Sequence, residues 1–336
     1  MKNIIITGGS GFIGTNLILF LLNKKFNILN LDKLSLSSNK YLLKKKIKNY
    51  KLIKIDLAKT NASKINKILK KFKPNYLINL ASETHVDSSI ERPKLFLESN
   101  VLGTLNLLIA CVKYNKKNKI KFIQIGTDEV YGQLKFNEKK KFTENNKMDP
   151  RNPYSASKTS GINFVKSFYN TYDLPTLVVN PSNNFGCFQY PEKLIPKTIL
   201  SILQNQKIQI YGKGRNIRDW VHVNDTANAI YTLMLKGETG ETYNISSNNS
   251  LSNLELVKKI SNILNRKLNI DYVKDRPGHD EKYLSSNKKL IKLGWKPKIS
   301  LIEGLTKTVL WYKSKTNLKN FKSLKNTYKR IGERIK

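Results

Sequence analysis

The first strand-like run, NIIIT, gives way at once to GGSGFIG, where Gly8, Gly11 and Gly14 recur at every third residue. Glycines so spaced form a tight turn whose backbone can approach a pyrophosphate, with the positive end of a helix behind it. The glycines alone are a weak signal. Their context strengthens it: a strand before, an apolar-periodic helix from Phe12 to Leu22 after, and an acid, Asp32, ending the next strand. A carboxylate at that place accepts from the adenosine ribose hydroxyls and repels a 2′-phosphate, so the expected cofactor is NAD rather than NADP. Asp56 ends the third strand, where it either reaches the adenine or simply closes a turn.

Beyond the turn, strand-like and helix-like stretches alternate. YKLIKID leads to a Lys-rich helix through ASKINKILKKF, then NYLINLAS, then a helix from Pro93 to Tyr114. IKFIQIG, a helix from Pro153 to Tyr172 and PTLVVN complete the pattern. Such alternation implies a parallel sheet covered on both faces. After Asn180 the elements shorten and Pro, Asn, Gly and aromatic residues become frequent. The expected fold is α/β: a Rossmann-type doubly wound parallel sheet with a smaller C-terminal substrate-binding lobe. The expected division is 1–181 with 217–246 for the dinucleotide domain and 182–216 with 247–315 for the lobe. Residues 316–336, with Leu318, Phe321, Leu324, Tyr328 and Ile331 at helical spacing, predict a docked basic helix, the alternative being a helix lying on a membrane surface.

The net charge of +37 raises the question of a polyanion partner. The basic residues are mostly Lys and are spread along the whole length, as on a solvated surface; a recognition patch would favour Arg. No specific nucleic acid is expected. Cys111 and Cys187 are the only cysteines, so neither a disulfide framework nor a metal site is predicted. The chain opens directly on a strand, which leaves no room for a targeting peptide, and its longest apolar runs fall short of the ~18 residues of a membrane span. A reducing cytoplasm is the expected setting.

The chemistry-bearing stretches are two. In IKFIQIGTDEVYG a buried strand stops at Thr127, Asp128 and Glu129. Strand ends in open α/β sheets face the ligand crevice, so the pair is either a polar turn or a general acid beside a general base. In NPYSASK, Tyr154 and Lys158 lie one helical turn apart, and the cation is expected to lower a phenol that otherwise titrates near ~10.

Together these pieces resemble the extended short-chain dehydrogenase/reductase family. ASETHVDSSIERP, GTDEVYG, NPYSASK, FQYPEKLIP, YGKGRNIRDWVHVND and DRPGHDEKY are similar, more narrowly, to the dTDP-glucose 4,6-dehydratases, from the first residue to about residue 312. The resemblance implies transient oxidation at glucose carbon 4, elimination of water across carbons 5 and 6, and return of the hydride from bound NAD to carbon 6. Tyr154, aided by Lys158 and Thr127, would take the carbon-4 hydroxyl proton; Glu129 the carbon-5 proton; Asp128 would protonate the departing carbon-6 hydroxyl. Related epimerases usually carry small hydroxyl residues at these two acid positions.

The same resemblance assigns cofactor contacts to Phe12, Ile13, Lys33, Leu34, Ser35 and Leu57 beside the glycines, Asp32 and Asp56. It adds Leu80, Ala81, Ser82, Thr84, Ser99 and Asn184, with Tyr154 and Lys158. Substrate contacts fall on Glu83, Thr127, Asn183, Lys193, Leu194, Gln209 and Tyr211, and on Arg218, Asn253, Arg276, His279 and Tyr283; the two arginines would neutralise the diphosphate. His85 and His279 are expected to make local hydrogen bonds. Asn180, Phe185 and Cys187 stand where relatives usually have Arg, Tyr and Pro, and are expected to alter the walls around nicotinamide and sugar. Cys187 would be oxidation-sensitive if exposed. The family pairs such chains as homodimers through the helices at Pro93–Tyr114 and Pro153–Tyr172. These motifs do not separate thymidine from uridine, so a UDP-glucose 4,6-dehydratase, a UDP-sugar 4-epimerase or decarboxylase of the same fold, and a basic NAD- or polyanion-binding protein remain open alternatives.

Overall fold

The computed structural model describes residues 2–39, 41–42 and 47–314. The expected C-terminal helix over 316–336 lies outside the described residues.

The chain enters at the middle of a sheet with β1 (Asn3–Thr7), then α1 (Phe12–Asn23), β2 (Asn27–Asp32) and β3 (Tyr50–Lys54) build outward on one side. α2 (Ala62–Phe72) carries the chain back across β1 to β4 (Tyr76–Asn79). α3 (Val86–Glu91), α4 (Pro93–Phe96) and α5 (Gly103–Asn115) precede β5 (Lys121–Ile125), and α6 (Pro153–Tyr172) precedes β6 (Thr176–Pro181). Then come β7 (Asn183–Phe185), α7 (Leu194–Leu203), β8 (Ile208–Tyr211), β9 (Ile217–His222) and α8 (Val223–Lys236). β10 (Thr242–Ile245) follows, then β11 (Ser250–Ser252), α9 (Asn253–Leu264), β12 (Ile270–Val273), α10 (Lys288–Lys292) and α11 (Leu301–Lys313). The main sheet has seven strands, all parallel, in the order β10-β6-β5-β4-β1-β2-β3.

Alternation along the strands explains why both faces are covered. Ile5, Leu29, Leu77 and Phe122 pack with Leu69 of α2, Leu107 of α5 and Ile162 of α6. Their neighbours Ile4, Ile28, Ile78 and Ile123 pack on the other side with Leu17 of α1 and Ile230 of α8. A strand buried on both faces reads as a continuous apolar run, which is how these strands read. A third cluster, with Ile199, Trp220, Leu256, Leu305 and Tyr312, forms the core of the lobe, where β9 pairs parallel with β7 and antiparallel with β11.

α4 and α5 are joined by a π-helical turn, Leu97–Leu102, into one helix, Pro93–Asn115. Its 23 residues satisfy the length and composition of a membrane span, although no contiguous apolar run in the sequence is that long. Leu107, Leu108, Ala110 and Cys111 are wholly buried between the sheet, α2 and α6, the pattern of a core helix.

Strand order reverses at β1, with β2 on one side and β4 on the other, so the loops after β1 and β4 diverge and open a crevice at the strands' C-terminal ends. Thr7 Oγ1 donates to Asn79 Oδ1 at 2.5 Å across the foot of that crevice.

Candidate active site

The glycine turn lies at the head of β1. Gly8 has φ +64°, and a Cβ there would stand 2.7 Å from the Ala81 backbone; at Gly14 it would stand 2.5 Å from the Gly8 carbonyl. α1 opens at Gly11 with no side-chain cap and no acid in its first turn, leaving its N–H groups and positive end for an anion. Asp32, nearly buried, ends β2 and accepts from Ser10 N at 2.8 Å and Leu34 N at 2.7 Å. A glycine cradle, an uncapped helix and a ribose-side carboxylate fit a dinucleotide. They line one end of a cavity of about 300 Å³ that also takes in Phe12, Ile13, Lys33, Ser35, Asp56, Leu57, Leu80, Ala81, Ser82, Thr84 and Ser99. Its other end reaches Thr127, Asp128, Glu129, Tyr154, Lys158 and Asn184.

Local sequence explains how the reacting end is held. After β5, Gly126 is required because a Cβ would meet Asn180 Oδ1 at 2.1 Å. Thr127 then caps a short 3-10 turn, Asp128–Tyr131, its hydroxyl accepting from Glu129 N at 3.4 Å. The turn sinks Asp128 and leaves Glu129 half-buried beside Asn152 Nδ2 and Tyr283 Oη, each 3.5 Å from Glu129 Oε2. α6 begins with a capping box between Asn152 and Ser155 and Pro153 at its first turn, which places Tyr154 and Lys158 inward. Asn100, carried on the π turn, locks the 83–84 loop against α6: it bonds Glu83 N at 2.8 Å and Ser157 Oγ at 2.8 Å.

The acids differ as their tasks would require. Burial first, then the charges of Glu129 and Asp219, push Asp128 up to about 8, so it holds its proton at neutral pH. Lys158 is drawn down to about 8 by burial. The expected lowering of Tyr154 is not found. Burial, and then the Glu129 charge, push its phenol well up, with only a bond to Thr127 pulling it back. Lys158 Nζ donates instead to the Ile125 carbonyl at 2.7 Å, so its charge is satisfied by the strand end rather than directed at the phenol.

A second cavity of about 180 Å³ meets the first at Thr84, Glu129, Asn183, Asn184 and Lys193. It gathers most of the expected substrate residues: Leu194, Tyr211, Arg218, Asn253, Arg276, His279 and Tyr283. Arg218 is buried and donates only to carbonyls, of Ile217 at 2.8 Å and Asp280 at 2.9 Å, and lies 4.2 Å over the Tyr283 ring. No salt bridge to Asp219 forms. Arg276 pairs with Asp87 at 3.1 Å, and its buried Nε has no partner among the described residues. Burial pushes Asp87 up, but Arg276 and the Tyr211 hydroxyl more than reverse this and leave it at about 2. His279 Nδ1 bonds Asp275 at 2.5 Å, and burial takes its imidazole down to about 4. His85 Nδ1 stands 2.8 Å from Ser88 Oγ.

Other expected residues fall outside both linings. Leu34, Glu83 and Gln209 line neither cavity: Leu34 N serves Asp32, Glu83 pairs with Lys33, and Gln209 accepts from Lys197. Asn180 and Phe185 sit behind the walls, Asn180 bonded to Tyr131 and Phe185 packed edge-on against His222. Cys187 also lies outside both linings, and burial pushes its thiol up to about 11, away from reactivity. Asp87, Trp220 and Lys197 line the second cavity without having been singled out. Signals in the sequence pointed to two of these: Trp220 is two residues from Arg218 on one strand face, and Lys197 lies on α7 one turn beyond its N-cap, Lys193.

The family model described as GDP-mannose 4,6 dehydratase matches residues 5–308. The dTDP-glucose 4,6-dehydratase of Haemophilus influenzae is 40% identical, over 93% of this chain and 98% of its own. The solved dTDP-glucose 4,6-dehydratase of Bacillus anthracis, in complex with NAD, superposes with a TM-score of 0.87 at 37% identity, covering 97% of this chain and 100% of that one. The Streptomyces venezuelae enzyme of the same name, with NAD and TYD bound, gives 0.89 at 30% identity, covering 96% and 100%. Matched over residues 5–308 and 40% identical to a relative that it covers almost whole, the chain belongs to the GDP-mannose 4,6 dehydratase family and falls among its dTDP-glucose 4,6-dehydratases.

Proposed function

We propose that this chain converts dTDP-glucose to dTDP-4-keto-6-deoxyglucose and water. The observation that carries the reading is the environment of the acid pair: Asp128 is buried and held protonated, while its neighbour Glu129 opens to both cavities. Bound NAD supplies a hydride acceptor for carbon 4, a donor for carbon 6, and a positive ring that favours the Tyr154 phenolate. Tyr154, bonded to Thr127, takes the carbon-4 hydroxyl proton; the ketone so formed makes the carbon-5 hydrogen acidic. Glu129 removes that proton, and Asp128 gives its own to the carbon-6 hydroxyl, which leaves as water. Glu129 exchanges its proton with solvent and protonates carbon 5, Tyr154 gives up the proton it gained, Asp128 is reprotonated, and the balance is loss of one water.

Arg218 and Arg276 bind the diphosphate, for which two guanidinium groups with donors to spare are suited. Asn183 and Asn184 each keep a buried Oδ1 without a partner among the described residues at the junction of the cavities, fitting acceptors for sugar and nicotinamide groups. The dinucleotide domain spans 1–181 with 217–246, β9 bridging it to the lobe. Exposed Leu97 and Leu102 on the π turn and Phe164 on α6 form the face of a homodimer, tested by a light-scattering mass of two chains. We place the enzyme in the cytoplasm.

The test is incubation with dTDP-glucose in deuterated water, followed by proton NMR, with UDP-glucose in parallel. A 4-keto-6-deoxy product carrying deuterium at carbon 5 is expected, faster from dTDP-glucose. Epimerisation without loss of water would refute the assignment.

A further inference from the structure

Which of two adjacent acids reaches the substrate depends on how one short turn is rotated. We propose that Tyr131, clasped by Asn180 and Asn244, is a positioning residue for the elimination: it seats the 3-10 turn so that Asp128 lies inward and Glu129 faces the carbon-5 hydrogen. The inference rests on the roles given to those two acids above.

The turn, Asp128–Tyr131, is weakly held by its own hydrogen bonds. Glu129 N reaches Thr127 Oγ1 at 3.4 Å, Val130 N the Thr127 carbonyl at 3.4 Å, and Gly132 N the Glu129 carbonyl at 3.3 Å. All three are longer than the ~2.9–3.0 Å of an ordinary N–H···O bond. The bonds that reach the turn from outside are shorter. Asp149 N donates to the Val130 carbonyl at 2.9 Å. Asn180 Nδ2 donates to the Tyr131 hydroxyl at 3.0 Å, and that hydroxyl donates to Asn244 Oδ1 at 2.9 Å.

Sheet register builds the clasp. Asn180 on β6 and Asn244 on β10 are direct partners across parallel strands, so their side chains leave the same face together. β10 is the edge of the sheet, where Glu144 Oε1 accepts from Asn244 N at 2.9 Å. A phenol has one proton to give and lone pairs to accept with, and one amide NH2 with one amide carbonyl match both. Tyr131 and the two asparagines are buried, and Phe142 stacks on the ring at 5.5 Å with 25° between the planes.

In a 3-10 helix, residues three apart eclipse one another. Holding Tyr131 therefore sets the direction of Asp128. Glu129, a third of a turn round, is carried to the side where the two cavities meet. Tyr131, Asn180 and Asn244 line neither cavity, so they act only through the turn. Tyr154 and Lys158 hang instead from α6, whose start is fixed by its own capping box. The clasp thus serves the elimination and not the oxidation.

The experiment compares the wild type with Tyr131→Phe, with the triple variant Tyr131→Phe/Asn180→Leu/Asn244→Leu, and with Glu129→Gln. Rapid mixing with dTDP-glucose reads carbon-4 oxidation as cofactor reduction. Proton NMR in deuterated water reads elimination and deuterium at carbon 5. Tyr131→Phe is expected to leave the oxidation rate and KM unchanged and to slow elimination by about 10- to 100-fold, so that reduced cofactor accumulates. It also strands two buried amides. The triple variant replaces them with apolar groups of similar shape and should regain stability in urea, while elimination stays slow because nothing directs the ring. Three results would each overturn the clasp: unchanged elimination in Tyr131→Phe, oxidation and elimination falling together, or elimination recovering with stability in the triple variant. Should Tyr131→Phe not fold, the triple variant decides by the same split between oxidation and elimination. If Glu129→Gln still exchanges the carbon-5 hydrogen, the role of Glu129 falls and takes the inference with it. If that exchange is lost while Tyr131→Phe eliminates normally, the inference falls alone.

Discussion

Replacing Asp87 by Asn removes the carboxylate that pairs with Arg276 in the second cavity, and the loss can be sized from proton linkage. Asp87 lies at about 2 in the folded chain against an ordinary 3.8, and its side chain is 9% exposed, so screening by water takes little away. A depression of that size corresponds to about 2 kcal/mol of stability at neutral pH. The carboxylate contributes in full above its unfolded value and loses the contribution as pH falls towards the folded one, so about half remains at pH ~3. Urea denaturation of the wild type and Asp87→Asn should therefore differ by about 2 kcal/mol at pH ~7 and by about 1 kcal/mol at pH ~3. A nucleoside diphosphate should narrow the gap at pH ~7, because it offers Arg276 another anion. Equal stability at neutral pH, or a gap unchanged by acid, would refute the reasoning that the ion pair outweighs the burial of its two charges.

Glu129→Gln should abolish exchange of the carbon-5 hydrogen and lower kcat by ~10²–10⁴-fold, with nucleotide affinity retained in calorimetry. Gly14→Ala places a Cβ 2.5 Å from the Gly8 carbonyl and should remove NAD affinity before it unfolds the chain, as read by cofactor retention on gel filtration. Asp32→Ser should admit NADP, since the carboxylate that meets a 2′-phosphate is gone; unchanged preference in cofactor exchange would place discrimination elsewhere.

The sheet was legible because two short-range signals agree. The runs buried on both faces at Ile4–Ile6 and Ile28–Leu31, and the glycine turn between them, leave one reading for the opening of the chain. Helix limits were legible where caps are written in the sequence, as at Asn152–Pro153 and Asn61. The Pro93–Asn115 helix was anticipated almost to the residue, yet its π turn was not: an i→i+5 widening leaves no composition signal, although it is what presents Asn100 to both Glu83 and Ser157.

The site divides along the same line. Residues that act through their own backbone position, such as Gly8, Gly14 and Asp32, could be placed from spacing. The electrostatics could not, because they depend on neighbours distant in sequence. Tyr154 and Lys158 are one turn apart, and from spacing alone the cation should lower the phenol. In the fold, Lys158 reaches the Ile125 carbonyl at 2.7 Å and Tyr154 faces Glu129, so burial and an acid decide its titration. Asp128 runs the opposite way: two adjacent acids in a sequence predict one raised carboxyl without saying which. The answer comes from burial: the 3-10 turn after β5 sinks Asp128 into the core and leaves Glu129 half-buried at the open cavities. The assignment of acid and base within the pair is therefore a property of how that turn is seated, and the sequence carries it only through the fold.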